Sequence, residues 1–460
     1  ESYANPDRSG PALRFSSLGR FGLSSPGSTM GRAWTRQRTA GTVHANLEAM
    51  VSVVENHHAS GECDVLIVGA GASGLMCAIH AGRRGLKTMV LEKGRKPGLK
   101  ILVSGGGRCN FTNLWADPED HYLSENQHFC ISAMRRYPVS EFIDMVNAHG
   151  IAYHEKKLGQ LFCDHSAQDI VAMLLDEAEQ VGVDIRLNSE VSQIVPGTDG
   201  FRIAVTPGKA AEASAAYVVS APQVVLASGG LSLPKIASDL AYRTARELNM
   251  SIVSPSPALV PLTWNNADKA DFADLSGVSV ECEVTCGGQS FRENLLFTHR
   301  GLSGPAILQA SSYWQPKESV FIDLLPHFDL LTELEKARHQ RGKSRLSAIL
   351  KGALPNRLVD AVSGTWFEDT TVAEMSSMQC EAVAEQFHRW CFRPGGTEGY
   401  RTAEVTLGGI STAEFSSKTF EAKRYKGLYA IGEALDVTGW LGGYNFQWAW
   451  ASGYCCAQHL

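Results

Sequence analysis

The sequence predicts an α/β protein, and three observations support this fold class. An apolar run, a glycine-rich turn and a helical pattern follow one another over residues 64–85. A second glycine-led strand and helix pattern closes the chain over residues 427–458. With 460 residues, 44% hydrophobic and 20% charged, the chain has a globular composition and a length that suits about three domains or one large domain with insertions.

The charge and cysteine counts exclude several classes of protein. The 42 basic and 48 acidic residues give a net charge of −6, whereas non-specific nucleic-acid binding needs surplus Lys and Arg, so we expect no nucleic-acid partner. No run of 18 apolar residues occurs, so we expect no membrane partner. The 11 cysteines include no C-x-x-C pair, which predicts no disulfide framework, no metal site and a reducing, cytoplasmic compartment.

Residues 1–60 are predicted to be a disordered leader, with the fold beginning near Glu62. Residues 1–47 contain six Arg and seven Ser but only two acidic residues, and no apolar period holds there. Organelle transit peptides share this composition. Translated sequence upstream of a true start near Met50 would look the same, so both interpretations stay open.

The first structural unit is a dinucleotide-binding turn. Residues 64–68 predict a buried strand, and the glycines of 69–74 match the G-x-G-x-x-G pattern. A helical pattern then runs to Gly85, and residues 87–91 predict a second strand that is closed by Glu92. The glycine motif is followed by a helix, a second strand and an acidic residue, in the order that a dinucleotide-binding unit requires. The match is therefore far more specific than an isolated glycine motif.

Each residue of this unit has a physical role. Gly69 permits the tight turn, Gly71 lets the backbone approach a pyrophosphate, and Gly74 lets helix and strand pack closely. The helix N-terminus offers free N–H groups to phosphates. The Glu92 carboxylate can accept hydrogen bonds from ribose hydroxyls and would repel a 2′-phosphate, which indicates NAD or FAD. The predicted contacts are Gly69, Ala70, Gly71, Ser73, Gly74, Glu92 and Lys93.

The C-terminal unit favours FAD. Residues 427–433 predict a strand that delivers Glu433, and a helical pattern follows Gly443. We expect Glu433 to bind ribityl hydroxyls and the helix beginning near Gly443 to point its N-terminus at the pyrimidine edge of a flavin. A positive helix end there stabilises the negative charge of the reduced ring.

Further motifs extend along the chain, and together they resemble one flavoprotein family. They are K-I-L-V-S-G-G-G-R-C-N at 100–110, L-A-S-G-G at 226–230, L-V-P-L at 259–262, F-T-H-R-G-L-S-G-P at 297–305, and G-E and G-G-Y-N at 432–433 and 442–445. The chain from Asp64 to Leu460 resembles the family known as YhiN-like or BaiN-like, also called the aminoacetone-oxidase family of FAD-binding enzymes.

The resemblance implies an architecture and further cofactor contacts. It implies non-covalent FAD on a discontinuous Rossmann-type domain, with an inserted β-barrel-like domain and a small helical domain. The expected boundaries are 61–255 and 426–460 for the FAD-binding domain, 256–325 and 398–425 for the β-barrel-like domain with its return strands, and 326–397 for the helical domain. The implied FAD contacts are Ser104, Gly105, Gly106, Arg108, Asn110, Val191, Ala227, Ser228, Gly229, Gly432, Glu433, Gly442, Gly443, Tyr444, Asn445 and Phe446.

Two departures from the family pattern stand out. Ser228 replaces a frequent Thr, which preserves the hydroxyl. The family often places a glycine-rich turn after a proline and a lysine, whereas residues 236–242 contain no glycine here. Residues 236–242 are therefore not among the expected cofactor contacts.

Local patterns also predict secondary structure in the middle of the chain. Ser166 and Asp169 resemble a capping box that starts a helix. Residues 184–195 alternate as one strand, and 278–284 with 290–297 predict a hairpin. Residues 327–393 are predicted to be helical, including 380–392.

His299 and Arg300 are the candidate catalytic residues. Histidine is the side chain best suited to proton transfer near neutral pH, although a lone histidine is more often structural. Cys109 is interpreted as a buried apolar filler, with a redox thiol as the alternative.

These features predict an FAD-dependent oxidoreductase acting on a small molecule. The resemblance allows NAD(P)H-dependent reduction of a conjugated ketone, or oxidation of a small amine or aminoketone with O₂. No second complete G-x-G-x-x-G unit occurs, so NAD(P)H would have to use the substrate pocket. The alternatives are a flavin-dependent tRNA-modifying enzyme and a non-catalytic flavin-binding sensor, and the oligomeric state stays open.

Overall fold

The computed structural model describes residues 63–208, 216–340 and 343–460. The predicted leader, residues 1–60, lies outside the described residues and stays a prediction. The strands are β1 (Val65–Val68), β2 (Thr88–Leu91), β3 (Asn110–Asn113), β4 (Tyr122–Leu123), β5 (Tyr153–Glu155), β6 (Gln160–Cys163), β7 (Asp184–Arg186), β8 (Ser189–Gly197), β9 (Gly200–Pro207), β10 (Tyr217–Ala221), β11 (Gln223–Leu226), β12 (Ile252–Ala258), β13 (Leu262–Thr263), β14 (Ser279–Cys286), β15 (Gln289–Phe297), β16 (Gly301–Ser303), β17 (Val320–Asp323), β18 (Trp390–Phe392), β19 (Gly396–Thr397), β20 (Val405–Ile410), β21 (Leu428–Ala430) and β22 (Thr438–Gly439). The helices are α1 (Ala72–Arg83), α2 (Leu99–Val103), α3 (Ile131–Arg136), α4 (Val139–Ala148), α5 (Ala167–Gln180), α6 (Leu240–Glu247), α7 (Asn266–Phe272), α8 (Pro305–Ser311), α9 (Leu330–His339), α10 (Leu346–Lys351), α11 (Asn356–Val362), α12 (Ser377–His388) and α13 (Tyr444–Ala457).

A five-stranded parallel sheet carries the nucleotide-binding turn. Its strand order is β21-β11-β1-β2-β7, and every neighbouring pair is parallel. All four residues of β1 are buried, because a central parallel strand is covered on both faces and is therefore apolar throughout. Strand β21, from the end of the chain, pairs with β11 in the register Val224↔Leu428. The predicted α/β Rossmann-type fold is confirmed. Its sheet combines strands from the first part of the described chain with β21 from near its end.

Helices α1 and α13 cover this sheet near the turn. Helix α1 ends where the sequence indicates, since Gly85 lies just beyond it with φ +83°. Helix α13 begins at Tyr444, directly after Gly443. The indole of Trp450 stacks on Phe142 at 4.2 Å between ring centroids and donates to the Phe111 carbonyl at 2.8 Å. The C-terminal helix is thus fixed by both packing and hydrogen bonding.

The single strand predicted for residues 184–195 is wrong. Strand β7 joins the parallel sheet beside β2, whereas β8 pairs antiparallel with β9. Asn188, with φ +53°, lies between the two strands. Its left-handed conformation breaks the extended chain and redirects it into the second sheet.

A second core is built on a seven-stranded sheet of order β18-β17-β14-β15-β16-β13-β19. The predicted hairpin is confirmed as β14 and β15, joined by Gly287 and Gly288 at φ +55° and +79°. Helices α9 to α12 contribute buried leucines and Phe387 to the same core. The helical prediction is wrong for residues 390–392, which form β18 and pair with β17. Buried Trp390 and Phe392 alternate with exposed Cys391, the pattern of a strand with one buried face.

Residues 398–425 return toward the parallel sheet with one regular strand, β20, which pairs antiparallel with β12. The expected domain boundaries stay predictions.

Among the residues that the structure describes, no helix is both long and apolar enough to span a membrane. All 11 cysteines lie in described regions as free thiols.

The close contact between α13 and α1 generates a stability prediction. A Cβ at Gly453 would lie 2.5 Å from the Ser73 carbonyl oxygen and 3.1 Å from the Cys77 nitrogen. We expect Gly453→Ala to lower the free energy of unfolding by about 1–3 kcal/mol through overpacking, measured by urea denaturation. Gly352→Ala is the control, because Gly352 has φ −72° and no Cβ contact closer than 3.1 Å. Equal stability of the two variants would contradict the packing argument.

Candidate functional site

A cavity of about 900 Å³ lies at the carboxyl ends of the parallel strands. Its walls include Gly69 after β1, Glu92 after β2, Ser228 after β11 and Glu433 after β21. This edge of an open α/β sheet is where such folds bind ligands. The volume lies in the upper part of the range for small-molecule and cofactor sites.

The glycine turn is shaped by close backbone contacts. Gly69 has φ +111°, and a Cβ there would lie 2.5 Å from the Ala227 carbonyl oxygen. A Cβ at Gly74 would lie 1.9 Å from the Gly69 oxygen. Gly71, the N-cap of α1, differs because a Cβ there would meet nothing within 4 Å and no side chain caps the helix. The first N–H groups of α1 therefore border open space, as a pyrophosphate site requires.

Glu92 is held in place at the end of β2. Its Oε2 accepts a hydrogen bond from the Ala70 N–H at 2.9 Å, and its Oε1 accepts from the Gly94 N–H at 2.7 Å. Each carboxylate oxygen has a further lone pair for a ligand hydroxyl. Val191 and Lys93 line the same cavity. The predicted adenosine-side residues are thus brought together.

The glycine loop over residues 104–107 follows the short helix α2. Gly105, Gly106 and Gly107 have φ of +56°, +67° and +86°, which agrees with the conformational freedom expected from the sequence. Ser104, Gly105, Gly106 and Asn110 line the cavity. Arg108 does not, and the expectation that it reaches the cofactor needs correction. Its neighbour Cys109 turns into the core, which leaves the Arg108 side chain exposed on the outer face.

The N-terminus of α13 forms another wall. Gly443 has φ +99°, and a Cβ there would lie 2.3 Å from the Thr112 carbonyl oxygen. No side chain caps the helix, and Gly442, Gly443, Asn445 and Phe446 line the cavity. Tyr444 is the exception among the predicted contacts. It is buried against His121, with 4.9 Å between ring centroids, because the first turn of the helix directs it away from the cavity.

Glu433 lies in a polar network that the sequence did not predict. Its Oε2 pairs with Lys100 Nζ at 2.5 Å, and its Oε1 accepts from the Thr406 N–H at 2.8 Å and from Ser232 Oγ at 3.2 Å. Lys100 Nζ also donates to Ser232 Oγ at 2.8 Å. Gly432 does not line the cavity, since it packs against Ser73. The missed Lys100 is part of the 100–110 motif, which was its only signal.

His299 and Arg300 are not brought to the cavity. Both side chains are exposed on the turn between β15 and β16, which is closed by the Thr298 N–H donating to the Gly301 carbonyl at 2.8 Å. Arg300 instead pairs with Glu398 at 3.6 Å. Neither residue lines the cavity, so the acid–base role suggested by the sequence has no support in their placement. Cys109 is buried and burial raises the pKa of its thiol, in agreement with a packing role.

The cavity residues fit FAD. Ser228 Oγ is buried without a hydrogen-bond partner in the described part of the protein, and buried hydroxyls normally have one. Two uncapped helix N-termini and the Glu92 and Glu433 carboxylates border the same space. Ala227, Ser228 and Gly229 also line this space.

In residues 63–208, 216–340 and 343–460, no cluster of His, Cys, Asp and Glu could hold a metal.

Comparison with known proteins identifies relatives over nearly the whole described chain. The HI0933-like protein Rossmann domain family matches residues 63–459. "Ribosomal RNA dihydrouridine synthase" of Escherichia coli is 48% identical over 400 residues, covering 86% of this chain and 98% of that protein. The protein of the same name from Haemophilus influenzae is 46% identical over 404 residues, with the same coverage of 86% and 98%. "3-dehydro-bile acid delta(4,6)-reductase" of Clostridium scindens is 28% identical over 414 residues, covering 85% and 97%.

The open space beside Gly71 generates a binding prediction. Gly71 has φ −83°, which valine tolerates, so Gly71→Val should fold normally while its side chain fills the space predicted for the pyrophosphate. We expect FAD affinity to fall by about 100-fold, equivalent to about 2.7 kcal/mol, in a fluorescence titration of the apoprotein. Gly71→Ala should give an intermediate loss. A Gly71→Val protein that retains wild-type affinity would refute the assignment of this turn.

Proposed function

The chain belongs to the HI0933-like Rossmann-domain family of FAD-dependent oxidoreductases, and we propose that it reduces a carbon–carbon double bond conjugated to a carbonyl group. This family assignment confirms the resemblance found in the motifs. We further propose that the double bond is that of a uracil ring in RNA. The observation that carries this proposal is the 48% identity to a ribosomal RNA dihydrouridine synthase across 98% of that protein.

The names of the relatives share one reaction type. A dihydrouridine synthase reduces the ring double bond of uridine, which is conjugated to a ring carbonyl. The 3-dehydro-bile acid delta(4,6)-reductase acts, by its name, on double bonds conjugated to a ketone. In both substrates the carbon remote from the carbonyl accepts hydride and the adjacent carbon accepts a proton. This shared chemistry agrees with the predicted reduction of a conjugated ketone and gives no support to amine oxidation.

The residues of the cavity would divide the work of such a reductase. FAD, when bound, supplies the hydride. The N-terminus of α1 would hold its pyrophosphate, and Glu92 its adenosine ribose. The N-terminus of α13 would stabilise negative charge at the flavin's pyrimidine edge. NAD(P)H is the proposed reductant and would enter from the substrate side.

A surface beside the cavity suits an RNA substrate. Leu114, Trp115 and Leu158 form an exposed apolar patch, which we call the rim patch, and Trp115 is 54% exposed. Asn113 Nδ2 connects the patch to the cavity wall, because it donates to the Leu158 carbonyl at 3.0 Å and to the Gly442 carbonyl at 2.8 Å. Exposed aromatic rings are typical stacking partners for unpaired bases.

Positive charge lies next to the rim patch. Lys156 Nζ is 5.2 Å from the centre of the Phe162 ring, which lines the cavity. Such a lysine can contact a phosphate while an unstacked base enters the cavity. The expectation of no nucleic-acid partner came from the charge of the whole chain, whereas the proposal of RNA rests on the identity to ribosomal RNA dihydrouridine synthase, with Trp115 and Lys156 as local features that suit it. We therefore prefer RNA over the steroid-like ketone, which remains the second candidate because of the Clostridium scindens relative.

The direct test is conversion of uridine to dihydrouridine. FAD-loaded protein, NADPH or NADH, and unmodified ribosomal RNA transcribed in vitro are incubated, and nuclease digests are analysed by mass spectrometry. We expect a uridine carrying two added hydrogens at a specific position. Gly71→Val protein, depleted of FAD, is the negative control. Unmodified RNA together with consumption of a 4,6-dien-3-one steroid would instead establish the second candidate.

The rim patch generates a separate prediction. Base stacking contributes about 1–3 kcal/mol, so Trp115→Ala should raise the KM for RNA by about 5- to 150-fold. The rate of flavin reduction by NADPH should not change, because Trp115 lies outside the cavity lining. Met378→Ala on α12 is the matched control, since Met378 is 77% exposed and remote in sequence from the patch. An unchanged KM in Trp115→Ala would exclude stacking on this residue.

A further inference from the structure

One carboxyl group in the cavity has no assigned role. Glu404 directly precedes β20, and its N–H donates to the Leu259 carbonyl at 3.2 Å. The residue lines the cavity and is exposed, although nearby protein atoms partly desolvate its carboxyl group. It is therefore accessible to a molecule bound in the cavity.

The position of Glu404 is on the flavin side of the cavity. Leu259 and Val405, which flank it, form a small apolar cluster with Leu441. Leu441 immediately precedes Gly442 and Gly443, where α13 begins. Glu404 thus lies next to the helix end that we assign to the flavin ring. The adenosine side of the cavity is farther away along the sheet. Glu92 follows β2, which is three strand positions from β21, the strand that leads to Glu433. This separation is about 14 Å at the usual strand spacing.

The hydrogen bonding of Glu404 differs from that of the two predicted cavity acids. Glu92 accepts from two backbone N–H groups, and Glu433 accepts from Lys100, Ser232 and Thr406. For Glu404, the structure shows no hydrogen bond to either carboxyl oxygen from the described residues. Burial raises the pKa of Glu404, and the nearby Lys100 ammonium opposes that rise. The balance favours a carboxyl group that holds a proton at higher pH than an exposed glutamate.

The cavity lining also contains the charged groups Lys93, Lys96, Glu190, Asp239 and Arg243 besides Glu92, Lys100 and Glu433, and among these the Lys100 ammonium is the charge that acts on Glu404. Lys100 is paired with Glu433. Tyr400, four residues before Glu404, has a buried hydroxyl without a partner and a pKa raised by burial, but it does not line the cavity. No cysteine or histidine is among the residues that line the cavity.

We propose that Glu404 is the general acid of the reaction, an inference that rests on the proposed function. Hydride adds to the double-bond carbon remote from the carbonyl, and the electron pair of the double bond moves toward the carbonyl. Glu404 then donates its proton to the carbon next to the carbonyl, forming the second C–H bond. The substrate gains two electrons and two hydrogens, NAD(P)H loses a hydride overall, and the Glu404 carboxylate is reprotonated by solvent.

The kinetic test separates the two half-reactions of FAD-loaded protein. Flavin reduced with dithionite is mixed anaerobically with in-vitro-transcribed ribosomal RNA, or with a 4,6-dien-3-one steroid, and its reoxidation is followed by absorbance. We expect Glu404→Gln to slow reoxidation by about 10²- to 10⁴-fold, the usual contribution of general acid catalysis. Reduction by NADPH should stay within about twofold of wild type, because it needs no proton from this group.

The pH dependence distinguishes proton donation from substrate binding. The wild-type reoxidation rate should fall as pH rises through the pKa of Glu404, since the ionised carboxylate has no proton to donate. Glu404→Asp should keep this dependence at a lower rate, and Glu404→Gln should lose it. Glu385→Gln, an exposed carboxyl on α12, is the control and should match wild type. A Glu404→Gln protein with a raised KM but an unchanged limiting rate would overturn the inference and assign a binding role.

A readout without turnover keeps the two proposals separate. In infrared spectra of the FAD-loaded protein recorded across a pH titration, a protonated carboxyl band should persist to higher pH than the bands of exposed glutamates, be lost in Glu404→Gln and be kept in Glu385→Gln. Absence of that band overturns the inference whatever the substrate is. Presence of the band with no reoxidation by either probe refutes the proposed function and upholds Glu404 as a protonated cavity group. Reoxidation equally fast in wild type and Glu404→Gln overturns the inference alone.

Discussion

The pairing of β21 with β11 is the constraint on which the cavity depends. It places the end of the chain one strand away from β1, so Glu433 and the N-terminus of α13 meet the glycine turn at one sheet edge. Closing such a long loop costs conformational entropy, but this cost grows only slowly with loop length. Burial of Trp448 and Trp450 on α13 offsets it. The interactions that close the fold therefore also assemble the site.

Backbone contacts allow these elements to come close enough. Glycine at 69, 443 and 453 removes side chains that would overlap a neighbouring carbonyl oxygen, at 2.5 Å, 2.3 Å and 2.5 Å from the missing Cβ. The same absence of side chains leaves the helix N-termini open toward the cavity. Only Gly71 among the turn glycines has free space around its Cβ position. Packing thus explains Gly69 and Gly74, whereas the free space at Gly71 suits the close approach of a ligand.

The sequence predicted what depends on neighbouring residues and missed what depends on tertiary contacts. Strand β1, helix α1 and Glu92 belong to one local motif, and the cavity contains all of its predicted contacts except the packing residue Gly74. The break at Asn188 and the strand β18 depend on which sheet each segment joins, and a local period cannot show that. Arg108 was misplaced because its direction follows from the burial of Cys109. Lys100 and Glu404 were missed because each acquires its environment from elements distant in sequence.

The acidic net charge of the chain bears on how an RNA could be selected in the proposed reaction. A net charge of −6 indicates weak non-specific attraction to a phosphate backbone, which depends on the number of cations in contact. A site that reads one unpaired base instead depends on stacking and on the polar groups that meet the base. In the proposed reaction, the rim patch and the cavity with Glu404 would supply these two elements. An acidic protein can therefore act on RNA if the base, rather than the backbone, provides most of the binding energy.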